Sequence, residues 1–157
     1  MTQSDIQVAQ PQVALIVGGG PGISASCARL FAANGMRVAV AARNPDKPVL
    51  QALEKTHGVR RYACDAAEPA SVQRLFEEVT RDLGTPTLVL HNIDGRSAGI
   101  LRKPITEADP ALALDVLRNA AFSAYLVGQH AARLPMPAAP REPSASPMRV
   151  QRSKAFR

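Results

Sequence analysis

Aromatic residues are scarce in this sequence of 157 residues, which has no tryptophan, two tyrosines and four phenylalanines. Single-stranded nucleic acid is gripped by basic surfaces interleaved with stacking rings, so nucleic acid is not expected as a partner. Cysteine is equally sparse. Cys27 and Cys64 fall in an expected helix and an expected strand, without the paired spacing of a zinc site. Both are expected to be buried thiols, and no metal is expected. No apolar run approaches the roughly 20 residues that a bilayer span needs. The opening Met1-Thr2-Gln3-Ser4-Asp5 does not lead a basic segment into an apolar stretch, as a secretory signal would. The expectation is a cytoplasmic protein with no membrane partner.

What remains is an ordinary globular composition, 46% hydrophobic and 20% charged, with room for one domain and no second. The net charge of +6 is unevenly placed. From Pro135 onward there are five basic residues, Arg141, Arg149, Arg152, Lys154 and Arg157, against the single acid Glu142. Five prolines also lie between Pro135 and Pro147, a density that neither strand nor helix tolerates. The reading is a flexible N-terminus over residues 1–11, a regular domain over 12–134 and an irregular or disordered basic tail over 135–157.

Within the domain, apolar runs alternate with helical periodicity. Val13 to Val17 is continuously apolar and stops at glycines, as a parallel strand covered on both faces does. Ile23, Cys27, Leu30 and Phe31 then recur at helical spacing as far as Asn34-Gly35. Arg37 to Ala41 is a second strand, and Asn44-Pro45 offers a cap and a first-turn proline for a second helix reaching His57-Gly58. Val59 to Cys64 is a third strand, Pro69 to Leu83 an amphipathic helix, and Thr87 to His91 a fourth strand. A long helical run follows from Glu107 to about Leu134, with a break expected near Pro110. Strands alternating with helices mean an α/β fold, a Rossmann-like three-layer sandwich around a parallel sheet of about four strands.

The loop Gly18-Gly19-Gly20-Pro21-Gly22-Ile23-Ser24 joins the first strand to the first helix. Unpaired N–H groups and the helix dipole make such a junction an anion site, and glycine lets backbone approach a pyrophosphate closely. Two registers fit: Gly20-x-Gly22-x-x-Ala25, the general dinucleotide fingerprint, and Gly18-x-x-x-Gly22-x-Ser24. The alternative is a tight turn with no ligand. The second strand ends Ala41-Ala42-Arg43-Asn44, with no acid before Asp46 to accept from a ribose 2′-hydroxyl. Arg43 would attract a 2′-phosphate, which favours NADP(H) over NAD(H), unless it is only a solvated loop charge.

These features resemble the short-chain dehydrogenase/reductase family, single-domain oxidoreductases that use NAD(H) or NADP(H). Val17 and Ser24 replace the first and last residues of its T-G-x-x-x-G-x-G loop. The resemblance implies Gly18, Gly20, Pro21, Gly22 and Ile23 at the cofactor phosphates. It also implies Asp65, with Ala66 beside it, at the adenine; read alone, Asp65 is equally a helix cap. Where the family has N-N-A-G this chain has His91-Asn92-Ile93-Asp94, so only Asn92 carries over. His91 reads either as a base or as a strand-end histidine satisfied by backbone. The family also places an asparagine in the next long helix. Asn119 is near, but an ungapped count puts Ala120 at that position.

The family's proton-transfer motif, Tyr-x-x-x-Lys, does not occur, since neither Tyr62 nor Tyr125 has lysine four residues on. Its nearest echo is Val150 to Ala155, where Lys154 is a remnant and valine stands in the tyrosine's place. The expected function is therefore a dehydrogenase/reductase-like chain that binds the cofactor but is truncated and catalytically impaired. Its expected partners are the dinucleotide, a small carbonyl or alcohol substrate only if active, and further copies or intact family members in an oligomer. The alternatives are an interaction protein using the half-domain as scaffold and the basic tail as contact, or a reductase that employs Tyr125 or His91.

Overall fold

Strand β1, Val13–Val17, is five apolar residues, all buried. A strand covered this completely needs neighbours at both edges and a layer on each face. It pairs in parallel with β2, Arg37–Ala42, and the second of these with β3, Arg60–Ala63. On its other edge β1 pairs in parallel with β4, Leu88–His91. The computed structural model describes residues 11–95, 99 and 103–135, and its sheet runs in the order β3-β2-β1-β4.

The pleat sorts alternate side chains into two cores. Val13, Leu15, Val17, Ala39, Ala41 and Tyr62 form one core with Val72, Leu75, Phe76 and Val79 of helix α3, Pro69–Leu83, and Leu126 and Val127 of α5, Ser123–Ala132. Ala14, Ile16, Val38 and Val40 form the other with Ala25 and Ala28 of α1, Ile23–Ala33, and Leu50 and Leu53 of α2, Pro48–His57. Helices on both faces of a parallel sheet make this a three-layer α/β sandwich of Rossmann type, as the sequence pattern implies.

Local chemistry sets the element ends, not always where expected. Asn44-Pro45 does not open α2, because Asn44 Oδ1 accepts from the N–H of Asp46 at 2.9 Å and so closes a turn of its own. The helix starts instead at Pro48, with Lys47 preceding it. Pro110 begins helix α4, Pro110–Leu117, and Asp109 caps it by accepting from the N–H of Ala111 at 2.9 Å. Between α4 and α5 lies a π turn, Arg118–Phe122. Cys64 is buried, but Cys27 is half-exposed, contrary to expectation, because it sits on the flank of α1 beside the second core.

The expected flexible N-terminus up to residue 10 and the basic tail from residue 136, Lys154 included, lie outside the described residues. Among the described residues no helix is long and apolar enough to cross a membrane, and no group of three or more His, Cys, Asp or Glu could hold a metal ion.

Candidate functional site

In the order β3-β2-β1-β4 the chain leaves β1 toward one edge and returns to its other side, so the carboxyl ends of β1 and β4 diverge. A cleft of about 950 Å³ opens there. Gly18, Gly20, Pro21, Gly22 and Ile23 line it from the first loop. Arg43, Asp65, Ala66 and Asn92 line it from the ends of the other three strands. The fold thus brings together every cofactor-site candidate of the sequence, whereas the alternative acids His91 and Tyr125 are not among the residues that line the cleft, and Tyr125 is exposed on α5.

The glycines divide the work. Gly18 has φ +106°, and a Cβ on it would lie 2.2 Å from the carbonyl oxygen of Asn92. The N–H groups of Gly18 and Gly19 both donate to Ala41 O at 2.9 Å, so the loop is pinned to the end of β2. Ser24 locks it from the helix side. Its hydroxyl donates to Gly18 O at 2.6 Å and accepts from Asn92 Nδ2 at 2.7 Å, so loop, helix and β4 share one buried network. This matches the register that begins at Gly18 and ends at Ser24. A Cβ at Gly20 or Gly22 would meet no atom within 4 Å, so packing does not demand glycine there. No side chain caps α1 at Gly22, which leaves its first N–H groups to whatever enters the cleft. Open backbone and an uncapped helix end are what a pyrophosphate requires, so the loop fits one.

At the rim beyond β2 the cleft is lined by Arg43, Asn44 and Lys47. Asp46 is turned aside: its carboxylate takes Arg61 Nη1 at 2.8 Å, and the same guanidinium holds Glu54. Lys47, which the sequence reading passed over, reaches Gly19 O with its Nζ at 3.0 Å and so bridges the two loops. Beyond β3, Asp65 does not cap α3, which starts at Pro69 behind Glu68. Its Oδ1 accepts from the N–H of Ala67 at 3.0 Å, holding the turn that places Ala66 at the cleft wall. Burial pushes the neighbouring Cys64 thiol above its ordinary range, offset only in part by the hydrogen bond from Ser71.

The His91 ring meets a side chain as well as backbone. Its Nε2 lies 2.8 Å from the buried Ser123 Oγ, and that hydroxyl donates onward to Asn119 O at 2.6 Å. With the Ser123 proton committed, His91 Nε2 is the donor. Burial holds the imidazole below its ordinary pKa. Asn119, and not Ala120, lines the cleft. Asn119 and Ala120 both lie in the π turn, whose i→i+5 bonding changes which side of the helix each residue faces. A Cβ on Gly95 would press on Ala120 N at 2.7 Å, so close packing against this turn demands glycine one residue after Asp94.

The profile of the enoyl-(acyl carrier protein) reductase family matches residues 18–142. The chain belongs to the short-chain dehydrogenase/reductase family, and its parallel sheet is of the Rossmann type found in that family's solved structures. It is 37% identical over 89 residues to an uncharacterized oxidoreductase of Caenorhabditis elegans, covering 54% of this chain and 28% of that protein. It is 31% identical over 96 residues to the human 3-oxoacyl-(acyl-carrier-protein) reductase, covering 61% of this chain and 40% of that protein. Among solved structures, a short-chain type dehydrogenase/reductase from Mycobacterium marinum superposes with a TM-score of 0.70 at 25% identity, over 78% of this chain and 49% of that one. An actinorhodin polyketide ketoreductase solved with NADPH gives a TM-score of 0.70 at 25% identity, over 78% of this chain and 47% of that one. The chain spans less than half the length of each of these four proteins.

Proposed function

We propose that this chain is the cofactor-binding part of a short-chain oxidoreductase and that it prefers NADP(H) to NAD(H). The observation that carries the preference is the rim beyond β2, where Arg43 and Lys47 line the cleft and no carboxylate of the same turn does. A 2′-phosphate gains from two cations there, whereas a bare ribose finds no acid to accept from its hydroxyl. Gly20, Pro21, Gly22 and Ile23 would hold the pyrophosphate at the start of α1, and Asp65 and Ala66 would border the adenine. Gly18 and Asn92 hold the loop in shape. When bound, the reduced cofactor would give a hydride to a small carbonyl, or the oxidised cofactor would take one from an alcohol, and the carbonyl class is consistent with the 3-oxoacyl reductase to which the chain is similar.

The reading extends to what these 157 residues do not do unaided. They contain no Tyr-x-x-x-Lys, so this chain binds cofactor without a phenol to transfer the substrate's proton. Calorimetric titration with NADPH and NADH tests the first part, with NADPH expected to bind at least about tenfold more tightly, a difference of about 1.4 kcal/mol. Arg43→Ala should remove most of that margin while leaving NADH affinity near the wild-type value. Failure of both dinucleotides to bind would overturn the function, and equal affinities would overturn the preference. Steady oxidation of NADPH by this chain with a 3-oxo thioester would refute the impairment.

A further inference from the structure

The turn after β2 carries Arg43, Asp46 and Lys47, and only the two cations reach the cleft. What separates them is a residue from the neighbouring strand. Arg61, on β3 and 15 residues from Asp46 in sequence, donates from Nη1 to Asp46 Oδ1 at 2.8 Å and to Pro45 O at 2.9 Å. Its Nε and Nη2 go to Glu54 Oε2 at 2.9 and 2.7 Å. The Arg61 side chain is only 20% exposed, while that of Asp46 is 73% exposed and is held by no other side chain among the described residues. A guanidinium suits this task because its planar fork serves three acceptors at once, which an ammonium on a flexible stem does poorly.

We propose that Arg61 is a positioning residue for cofactor discrimination, holding the Asp46 carboxylate on the β3 side of the turn so that it does not compete with a 2′-phosphate for Arg43 and Lys47. The proposal rests on the NADP(H) reading above and adds the residue that enforces it. One guanidinium is shared by two carboxylates, so the cluster keeps a net negative charge, and where that charge sits decides what it does. Without Arg61 the exposed Asp46 has Arg43 and Lys47 as its nearest cations in sequence. A phosphate then meets a carboxylate already on its partners, or the repulsion of one nearby. The hold on Pro45 O matters for the same reason, since it fixes the backbone from which Asp46 projects.

The test is calorimetric binding of NADP+ and NAD+ at low salt, where surface charge is least screened, to the wild-type chain, Arg61→Gln, Asp46→Asn and the double variant. Arg61→Gln should lower the ratio of NADP+ to NAD+ affinity by roughly threefold to tenfold. Asp46→Asn alone should move it less than about twofold, because Arg61 already holds that charge aside, and the double variant should recover most of the ratio. A merely structural role predicts equal losses for both dinucleotides and no recovery, and either result would overturn the proposal. If Arg61→Gln does not fold, Asp46→Asn still decides: a rise in the ratio above about threefold would mean that the carboxylate already reaches the phosphate. A wild-type chain without NADP+ preference would sink the NADP(H) reading itself. An intact preference that Arg61→Gln leaves unchanged would sink only this inference.

Discussion

Replacing Gly18 by alanine separates the loop's architecture from its ligand chemistry. Two costs act at that position. The residue sits at φ +106°, a region that side chains with a Cβ occupy at about 1–3 kcal/mol. The new Cβ would also lie 2.2 Å from Asn92 O and 2.6 Å from Asn92 C, so β4 or the loop must shift, at about 1–3 kcal/mol for overpacking. Alanine returns about 0.4–1 kcal/mol by restricting the unfolded chain. The net loss is about 1–6 kcal/mol, a sizeable fraction of the roughly 5–15 kcal/mol that holds a domain folded. Urea denaturation followed by circular dichroism should show the midpoint falling by about 0.5–3 M at an unchanged slope of about 2 kcal/mol/M. Gly20→Ala is the control, because a Cβ there meets nothing within 4 Å. It should change stability by less than about 1 kcal/mol yet weaken NADPH binding, since its Cβ occupies the wall of the cleft. A Gly18→Ala chain within about 0.5 kcal/mol of wild type, or a Gly20→Ala chain equally destabilised, would refute this account.

Ser24→Ala strips a hydroxyl that serves Gly18 O and Asn92 Nδ2 together, and should cost about 2–3 kcal/mol in the same denaturation assay. A cycle with Asn92→Ala should show coupling above about 0.5 kcal/mol, and strict additivity would mean the two side chains act apart. His91 titrates lower in the folded chain than in the unfolded one, so the unfolded state takes up the proton first as pH falls. Its contribution is therefore fully present above the ordinary histidine pKa near 6.5 and is lost as pH drops through the folded value. The melting temperature of wild type minus that of His91→Gln should shrink between about pH 7 and pH 5, and a constant difference would contradict the burial of a neutral ring. With a thiol reagent at neutral pH, half-exposed Cys27 should react first, while Cys64, buried and pushed up in pKa, should wait for unfolding. Simultaneous modification would show that the cleft wall at Cys64 opens freely.

Much of the framework was legible because it is local. Val13 to Val17 is apolar without interruption, and its shortness and the glycines that follow it mark a doubly covered strand and not a buried helix. The glycine loop announces itself by composition and by its place between that strand and an amphipathic helix. Arg43 is visible as the basic end of β2, and its position in the cleft follows from the parallel order of the strands. The start of α2 is not legible because an asparagine followed by proline can cap a helix or close a turn, and Asn44 Oδ1 takes the N–H of Asp46 and closes a turn. Spacing does not distinguish them. Asn119 is not told from Ala120 by spacing, because a π turn, which sets which of the two faces the cleft, is visible only in the hydrogen bonds that result.

By itself the sequence determined the alternation of strands and helices, the glycine loop and the cationic end of the second strand. These depend on burial periodicity and on backbone freedom, which neighbouring residues decide among themselves. Tertiary structure alone decided which glycine bears the close contact, that Ser24 and Asn92 lock the loop, and that Asp46 faces away from the cleft. Each of those depends on a partner distant in the chain: Asn92 across the sheet for Gly18, and Arg61 on the next strand for Asp46. A carboxylate near a basic residue reads the same in one dimension whether or not a guanidinium holds it aside, and only the fold supplies the direction of the charge.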